Sequence, residues 1–283
     1  MRRAAVLVAV LGMGVWSLGQ DKPAAQNPPA GQTAAAPQGK RPPKVNSQDE
    51  YKAYQTTLAM TDPAAEEKAV ADFVAKYPQS ELHTLIYNDV MGKYQNAGNN
   101  AKCLEMARKT LAIDPDDPVA LVTAGIVIVE QVQETDLDKD QRYAEAKKDA
   151  QRALVTVDTD IAAAMYPPDK LENYKNLLRS QAYSILGSAA FKQSVWPDAE
   201  VNLRKSIDAY PQSVDVVCVY RLALALDFQN KIPEALKAVQ QAVDLTKDSP
   251  DSPAGKAARQ EQNRLLTYSK TPSPGQTSAP PKN

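Results

Sequence analysis

A chain of 283 residues, with 33 Lys and Arg against 34 Asp and Glu, has room for one or two domains and carries a formal net charge of −1. One His and two Cys exclude most zinc-hydrolase, metal-cluster and disulfide-scaffold architectures. Aromatic residues make up 6%, with only 3 Phe and 11 Gly beside abundant Ala, a profile that suits packed helices and suits a sandwich or barrel poorly.

The chain opens with basic Met1-Arg2-Arg3, an apolar run from Ala4 to Val15, and small residues at Ser17 and Gly19. That layout predicts a secretory signal peptide over 1–19 and hence export to the periplasm or cell envelope. Membrane association is expected only through this segment if it stays uncleaved. At 16 residues, Ala4 to Gly19 is short against the roughly 20 needed to span a bilayer. The first Cys is Cys103, so no N-terminal Cys is present to carry a lipid.

Residues 20–46 hold six of the 21 prolines, and residues 269–283 hold four more. With almost no large apolar side chains, both stretches are expected to be disordered, the first as a linker and the second as a tail. The intervening 47–268 carries 25 basic and 33 acidic residues, a net of −8 that argues against a nucleic-acid partner.

Within 47–268 a unit recurs: helix, short polar turn, helix, proline. The turns are Ala97-Gly98-Asn99-Asn100, Gln193-Ser194-Val195-Trp196 and Gln229-Asn230-Lys231-Ile232. The copy at 180–213 has Tyr183, Leu186, Gly187 and Ala190 on its first helix, then Ala199, Leu203, Ser206 and Pro211. The copy at 84–117 has Tyr87, Val90, Met91 and Tyr94, then Cys103, Ala107, Thr110 and Pro115. The copy from 118 has Leu121, Ala124, Gly125 and Ile128, with a second helix arriving late at Ala146, Ala150 and Ala153. The copy at 216–249 has Val219, Leu222, Ala223, Leu226, Ala235, Val239 and Ala242, but Lys247 where the proline belongs. A degenerate first unit covers about 47–80.

These tracts resemble the tetratricopeptide repeat family, whose 34-residue unit has small residues where helices touch and large ones between hairpins. The resemblance implies an all-α, right-handed solenoid of antiparallel helical hairpins. Insertions are expected near 129–142 and 161–179, with Asp169 as N-cap of a long helix reaching about Gln193. A capping helix over 254–268 is expected to shield the last apolar face.

The residues that could carry chemistry are few. His83, with no second His or nearby Cys, reads as a surface or capping histidine. Cys103 and Cys218 lie three repeats apart, too far for the roughly 4.4–6.8 Å a disulfide requires, and read as buried thiols. Asp136, Asp138 and Asp140 match the start of a calcium loop, but Gln141 and Lys147 stand where it needs Gly and Glu. No metal, cofactor or catalytic set is expected, and a carboxylate hydrolase remains the least favoured alternative.

In the resembled family the first helix of each hairpin lines a concave groove that holds a peptide or a partner helix. The matching positions include Asn88, Gln95, Val122, Ile126, Ser184, Ser188, Phe191, Tyr220, Leu224 and Asp227. A family variant grips C-terminal carboxylates with inward Lys, which these positions lack, so that activity is not implied. Val119 to Val129 is apolar nearly all round and predicts a helix covered on both sides, by the inserted segment or by a partner. The expected function is a non-catalytic scaffold binding a protein or peptide in the groove, with Phe191 and Tyr220 as anchors. The alternative is self-association into a structural envelope component.

Overall fold

The computed structural model describes residues 39–270. The expected signal segment, most of the linker and nearly all of the tail lie outside them. The described residues form eleven α-helices and two single 3₁₀ turns.

The helices pair as hairpins in chain order. The first is α1 (Gln48–Leu58) with α2 (Pro63–Lys76), the second α3 (His83–Asn96) with α4 (Asn100–Ile113), and the third α5 (Pro118–Gln131) with α6 (Lys139–Thr156). Then come α7 (Pro168–Lys192) with α8 (Trp196–Ala209), α9 (Val216–Phe228) with α10 (Ile232–Leu245), and the single α11 (Pro253–Lys270). Each helix packs on its neighbours in sequence, and contacts also join α1 to α3, α5 to α7, α7 to α9 and α9 to α11. This is an all-α stack of antiparallel hairpins closed by one further helix. Among the described residues no helix is long and apolar enough to cross a membrane.

The starts of these helices are written locally. Side chains of Ser47, Asp62, Asn99, Asp117 and Asp215 accept from N–H groups of the turn that follows, satisfying donors that have no partner inside the helix. Ser47 and Glu50 form a reciprocal capping box. Pro63, Pro118 and Pro168 stand at the first helical position, where the missing N–H costs nothing. Asp169, expected as an N-cap, is instead the second residue of α7; Pro167 holds the cap position and makes no side-chain cap bond.

Both insertions take a definite form. After α5 the chain makes a larger turn, from Val132 to Asp138, before α6 begins. The second insertion becomes the 3₁₀ turn Ala163–Met165 and the first three turns of α7, which runs on without a break for 25 residues.

Close approach depends on small residues. A Cβ on Gly187 would lie 2.7 Å from Leu203 Cγ, so α7 and α8 touch backbone to side chain there. Leu203 is fully buried, which contributes about 1.5–3 kcal/mol. Ten residues of α5 are buried: Ala120, Ala124 and Val127 join the core shared with α3 and α4, while Leu121, Val122, Ile128 and Val129 join that of α6 and α7.

The stretch Gly39–Asn46, expected to belong to a disordered linker, is held against the hairpins. The Lys40 N–H donates to Ile161 O at 3.2 Å, and its ammonium pairs with Asp114. Arg41 makes two bonds to Glu81, at 2.7 and 2.8 Å, and the Lys44 N–H donates to Glu81 at 2.8 Å. Composition counts apolar surface, and this strap is fixed by charge-assisted bonds to side chains far away in sequence.

Candidate functional site

The inner positions of the first helices are the candidate surface, and the structure divides them into two lots. On the third hairpin the face is filled from within. Tyr166, Leu171 and Tyr174, from the insertion and the start of α7, pack against the cluster that contains Val122 and Val129, together with Val119 and Ile126. Tyr166 and Tyr174 stack at 5.2 Å between ring centroids. Burial pushes both phenols above their usual range. Tyr166 also comes within electrostatic reach of Tyr54 on α1. The apolar run of α5 is therefore covered by the protein's own insertion.

Several inner polar groups are likewise spent inside the fold. Asn88 donates to Asp117 Oδ2 at 2.9 Å and accepts from Thr110 Oγ1 at 3.0 Å, tying α3 to α4 and to the cap of α5. Burial raises the Asp117 pKa, against the N–H of Ala120 and the Asn88 amide. Ser184 Oγ lies 2.9 Å from Cys218 Sγ. Ser188 accepts from Arg221 Nη1 at 2.7 Å. That guanidinium, on α9, also reaches past α7 to Glu130 at the end of α5, with bonds of 2.8 and 3.1 Å. Burial opposes the Arg221 charge, but the Glu130 carboxylate more than compensates and holds it firmly protonated. Asp227 pairs with Arg264 of α11, and burial still raises its pKa.

Of the ten groove positions, Val122, Ser188 and Leu224 are buried and serve core packing or the Arg221 bridge, so they do not line an open channel. Asn88, Ser184 and Asp227 have partners within the fold. Gln95, Ile126, Phe191 and Tyr220 keep partial exposure. Burial raises the pKa of the Tyr220 phenol. Phe191 meets Trp196 edge-on at 5.5 Å, and Trp196 stacks on Phe228 at 4.0 Å with the rings 6° from parallel. Phe228 is 37% exposed. This three-ring cluster stands where α7, α8 and α9 meet their turns. The register that located Phe191 missed Trp196 and Phe228 because they lie beside the turns, outside the groove positions.

The chemically suggestive residues are structural as well. His83, expected at the surface or as a cap, is buried: its Nε2 lies 2.9 Å from Tyr77 O and its ring meets Phe73 edge-on at 5.9 Å. Cys103 and Cys218 are buried free thiols, each pushed up to about 12 by burial, which suppresses the reactive thiolate. Asp136 accepts from the Gln133 N–H and pairs with Arg142, organising the turn before α6. Among the described residues no group of three or more His, Cys, Asp or Glu converges as metal donors do.

No family model matches the chain, and no curated protein matches it. Among solved structures it is similar to one described as "Crystal structure of MamA protein", at 18% identity and a TM-score of 0.41, over 66% of this chain and 88% of that one. That likeness is loose and carries no argument; the fold rests on the hairpin packing itself, which fits a tetratricopeptide-like array.

Proposed function

We propose that the protein is a non-catalytic interaction scaffold of the cell envelope, holding a protein or peptide partner on its last hairpins. Phe191 and Tyr220 act as anchors, with the neighbouring rings of Trp196 and Phe228. The observation that carries this reading is the contrast along the array. Tyr166 and Tyr174 fill the inner face of the third hairpin, whereas the later hairpins keep a partly exposed run of large rings, whose contact area comes at low entropic cost. A scaffold role is also supported by the residues that nucleophilic or acid–base chemistry would use, since the thiols and the imidazole are committed to packing. The basic start and apolar run of the sequence support export.

The test is affinity capture from a solubilised envelope fraction with the full chain as bait, beside a Phe191→Ala/Tyr220→Ala double variant whose melting temperature is measured in parallel. A photo-crosslinking residue at Tyr220 is compared with one at Asp72, on the exposed face of α2. One stoichiometric partner, crosslinked from position 220 and lost with a folded double variant, supports the reading. A partner that survives the double variant, or one crosslinked only from position 72, refutes this site. Recovery of the bait alone favours self-association.

A further inference from the structure

The opposite side of the array, where the second helices of the hairpins lie, holds an apolar cleft of about 570 Å³ between α4 and α6. Leu111, Pro115, Leu121 and Val155 line it, and Val155 is 63% exposed. Asp149 lines it too, half-buried among these apolar groups. Among the described residues no donor or cation pairs with its carboxylate. Of the cations around it, Arg108 pairs with Glu145 at 3.2 Å and Arg152 with Asp116 at 2.5 Å, while the adjacent Lys148 is exposed and acts on Asp149 only through space. A carboxylate partly withdrawn from water without a counterion is unfavourable. Burial and the Glu145 charge push its pKa up to about 6.

The shape and the charge select a ligand. Lys148 and Arg152 line it as well, but Arg152 is spent on Asp116 and Lys148 is exposed, so an anionic group would meet the Asp149 carboxylate. A wholly apolar one would complete the desolvation of Asp149 and leave it unpaired. An aliphatic chain ending in a cation supplies both needs, as the stems and heads of Lys and Arg do. We propose that this cleft binds an apolar peptide segment carrying one lysine or arginine, its aliphatic surface on Leu111, Leu121 and Val155 and its cation on the Asp149 carboxylate. The site lies away from the groove and does not depend on the groove reading.

A bound cation favours ionised Asp149, so binding strengthens as pH rises through about 6. The other charged groups around the site are Arg108 on α4, Asp116 in the following loop with Lys40 of the strap near it, and Glu145, Lys148 and Arg152 on α6. From α5 the lining residue is Leu121.

The experiment titrates two end-capped peptides of leucine and alanine into the ¹⁵N-labelled full chain. One has a central lysine, and the other has norleucine in its place. The lysine peptide is expected to shift amides of residues 111–121 and 148–155 saturably and to bind about tenfold more tightly than the norleucine peptide, the size of one charge-assisted contact. Asp149→Asn, which keeps the side chain's shape, is expected to erase that difference. In the unaltered chain, lowering the pH from 7.5 to 5 is expected to shrink it, a readout that needs no variant. Shifts that map elsewhere, equal binding of the two peptides, or an advantage that survives both Asp149→Asn and pH 5 would overturn the proposal.

Discussion

The two ends of the helical stack solve the same problem with different cations. Each buries two carboxylates with one basic residue: Glu66 of α2 with Asp89 and Lys93 of α3 where the first two hairpins meet, and Asp227 of α9 with Glu261 and Arg264 of α11 where the last hairpin meets the closing helix. At the last end the guanidinium donates Nε to Glu261 at 2.9 Å and Nη2 to its other oxygen at 2.8 Å, and Nη2 also reaches Asp227. At the first end the Lys93 ammonium lies 2.7 Å from both carboxylates, yet it also donates to the carbonyls of Leu58 at 3.1 Å and Met60 at 2.6 Å. An ammonium has three protons for these four acceptors, whereas a guanidinium offers five in a fixed fork. Burial is the largest influence on Glu66 and, with the Asp89 carboxyl beside it, pushes its pKa up to about 8. Donor number, more than charge count, separates the two ends.

Removing the cation from the weaker arrangement has the largest expected effect. Lys93→Met takes the cation from between the buried Glu66 and Asp89 carboxyl groups and frees the carbonyls of Leu58 and Met60. A loss of about 3–5 kcal/mol is expected for breaking a buried pair in this way. Urea unfolding measures it, with hydrogen exchange expected to show α1 and α2 opening first. Loss confined to about 1 kcal/mol would mean that water already reaches the cluster.

The pH dependence follows from the same cluster. The folded-state pKa of Glu66 lies above its reference value of 4.5, so the native state binds the extra proton. The stability it provides is fully present below about 4.5, falls as pH rises toward about 8, and levels off above that, with a slope of at most about 1.4 kcal/mol per pH unit. Glu66→Gln cannot titrate and is expected to flatten that slope between pH 5 and 8. Melting temperatures across this range test it, and an unchanged slope would place the proton elsewhere.

How much of this was legible in the sequence differs with the range of the interaction. The hairpins follow from i to i+4 patterning and the recurring turns, and the burial of α5 on all sides follows from Val119 to Val129 alone. The strap was not legible: Lys40 and Arg41 sit in a Pro-rich stretch, and nothing local shows that Glu81 and Asp114 receive them. Repeat register put Val122 and Ser188 on the inner face, but it carries no information about what lies over that face. Tyr166 comes from an insertion that has no repeat position, and Arg221 meets Glu130 across 91 residues. His83 appeared exposed because the apolar partner that buries its ring, Phe73, belongs to the preceding hairpin.

Exchanging the cation types sharpens the comparison of the ends. Arg264→Lys should make the last end resemble the first, because one ammonium replaces a fork that served three oxygens. A loss of about 1–2 kcal/mol is expected, smaller than for Lys93→Met because a charge remains. A new fall in stability toward high pH should appear, since Asp227, already raised by burial, would then keep its proton further toward neutrality. If Arg264→Lys lowers stability equally at pH 5 and 8, donor number is not what separates the two ends.

The smallest expected difference between the two halves lies in the turns inside their hairpins. After α3 the left-handed position belongs to Gly98, with φ at 71°, whereas after α7 and α9 it belongs to Ser194 at 59° and Asn230 at 58°. Each turn closes in the same way, with N–H of Asn99, Val195 and Lys231 donating to the carbonyls of Tyr94, Ala190 and Leu226. The backbone is thus common, and only the side chain's tolerance of positive φ differs. A Cβ is unfavourable there, and Asn suffers less than Ser because it enters that region readily. Ser194→Gly is expected to stabilise the chain by about 0.5–1 kcal/mol, and Asn230→Gly by less. Both are read from the urea midpoint at constant slope. A Ser194→Gly that destabilises would show that its hydroxyl or its unfolded-state entropy outweighs the strain, which would leave the early and late turns equivalent in energy despite their different residues.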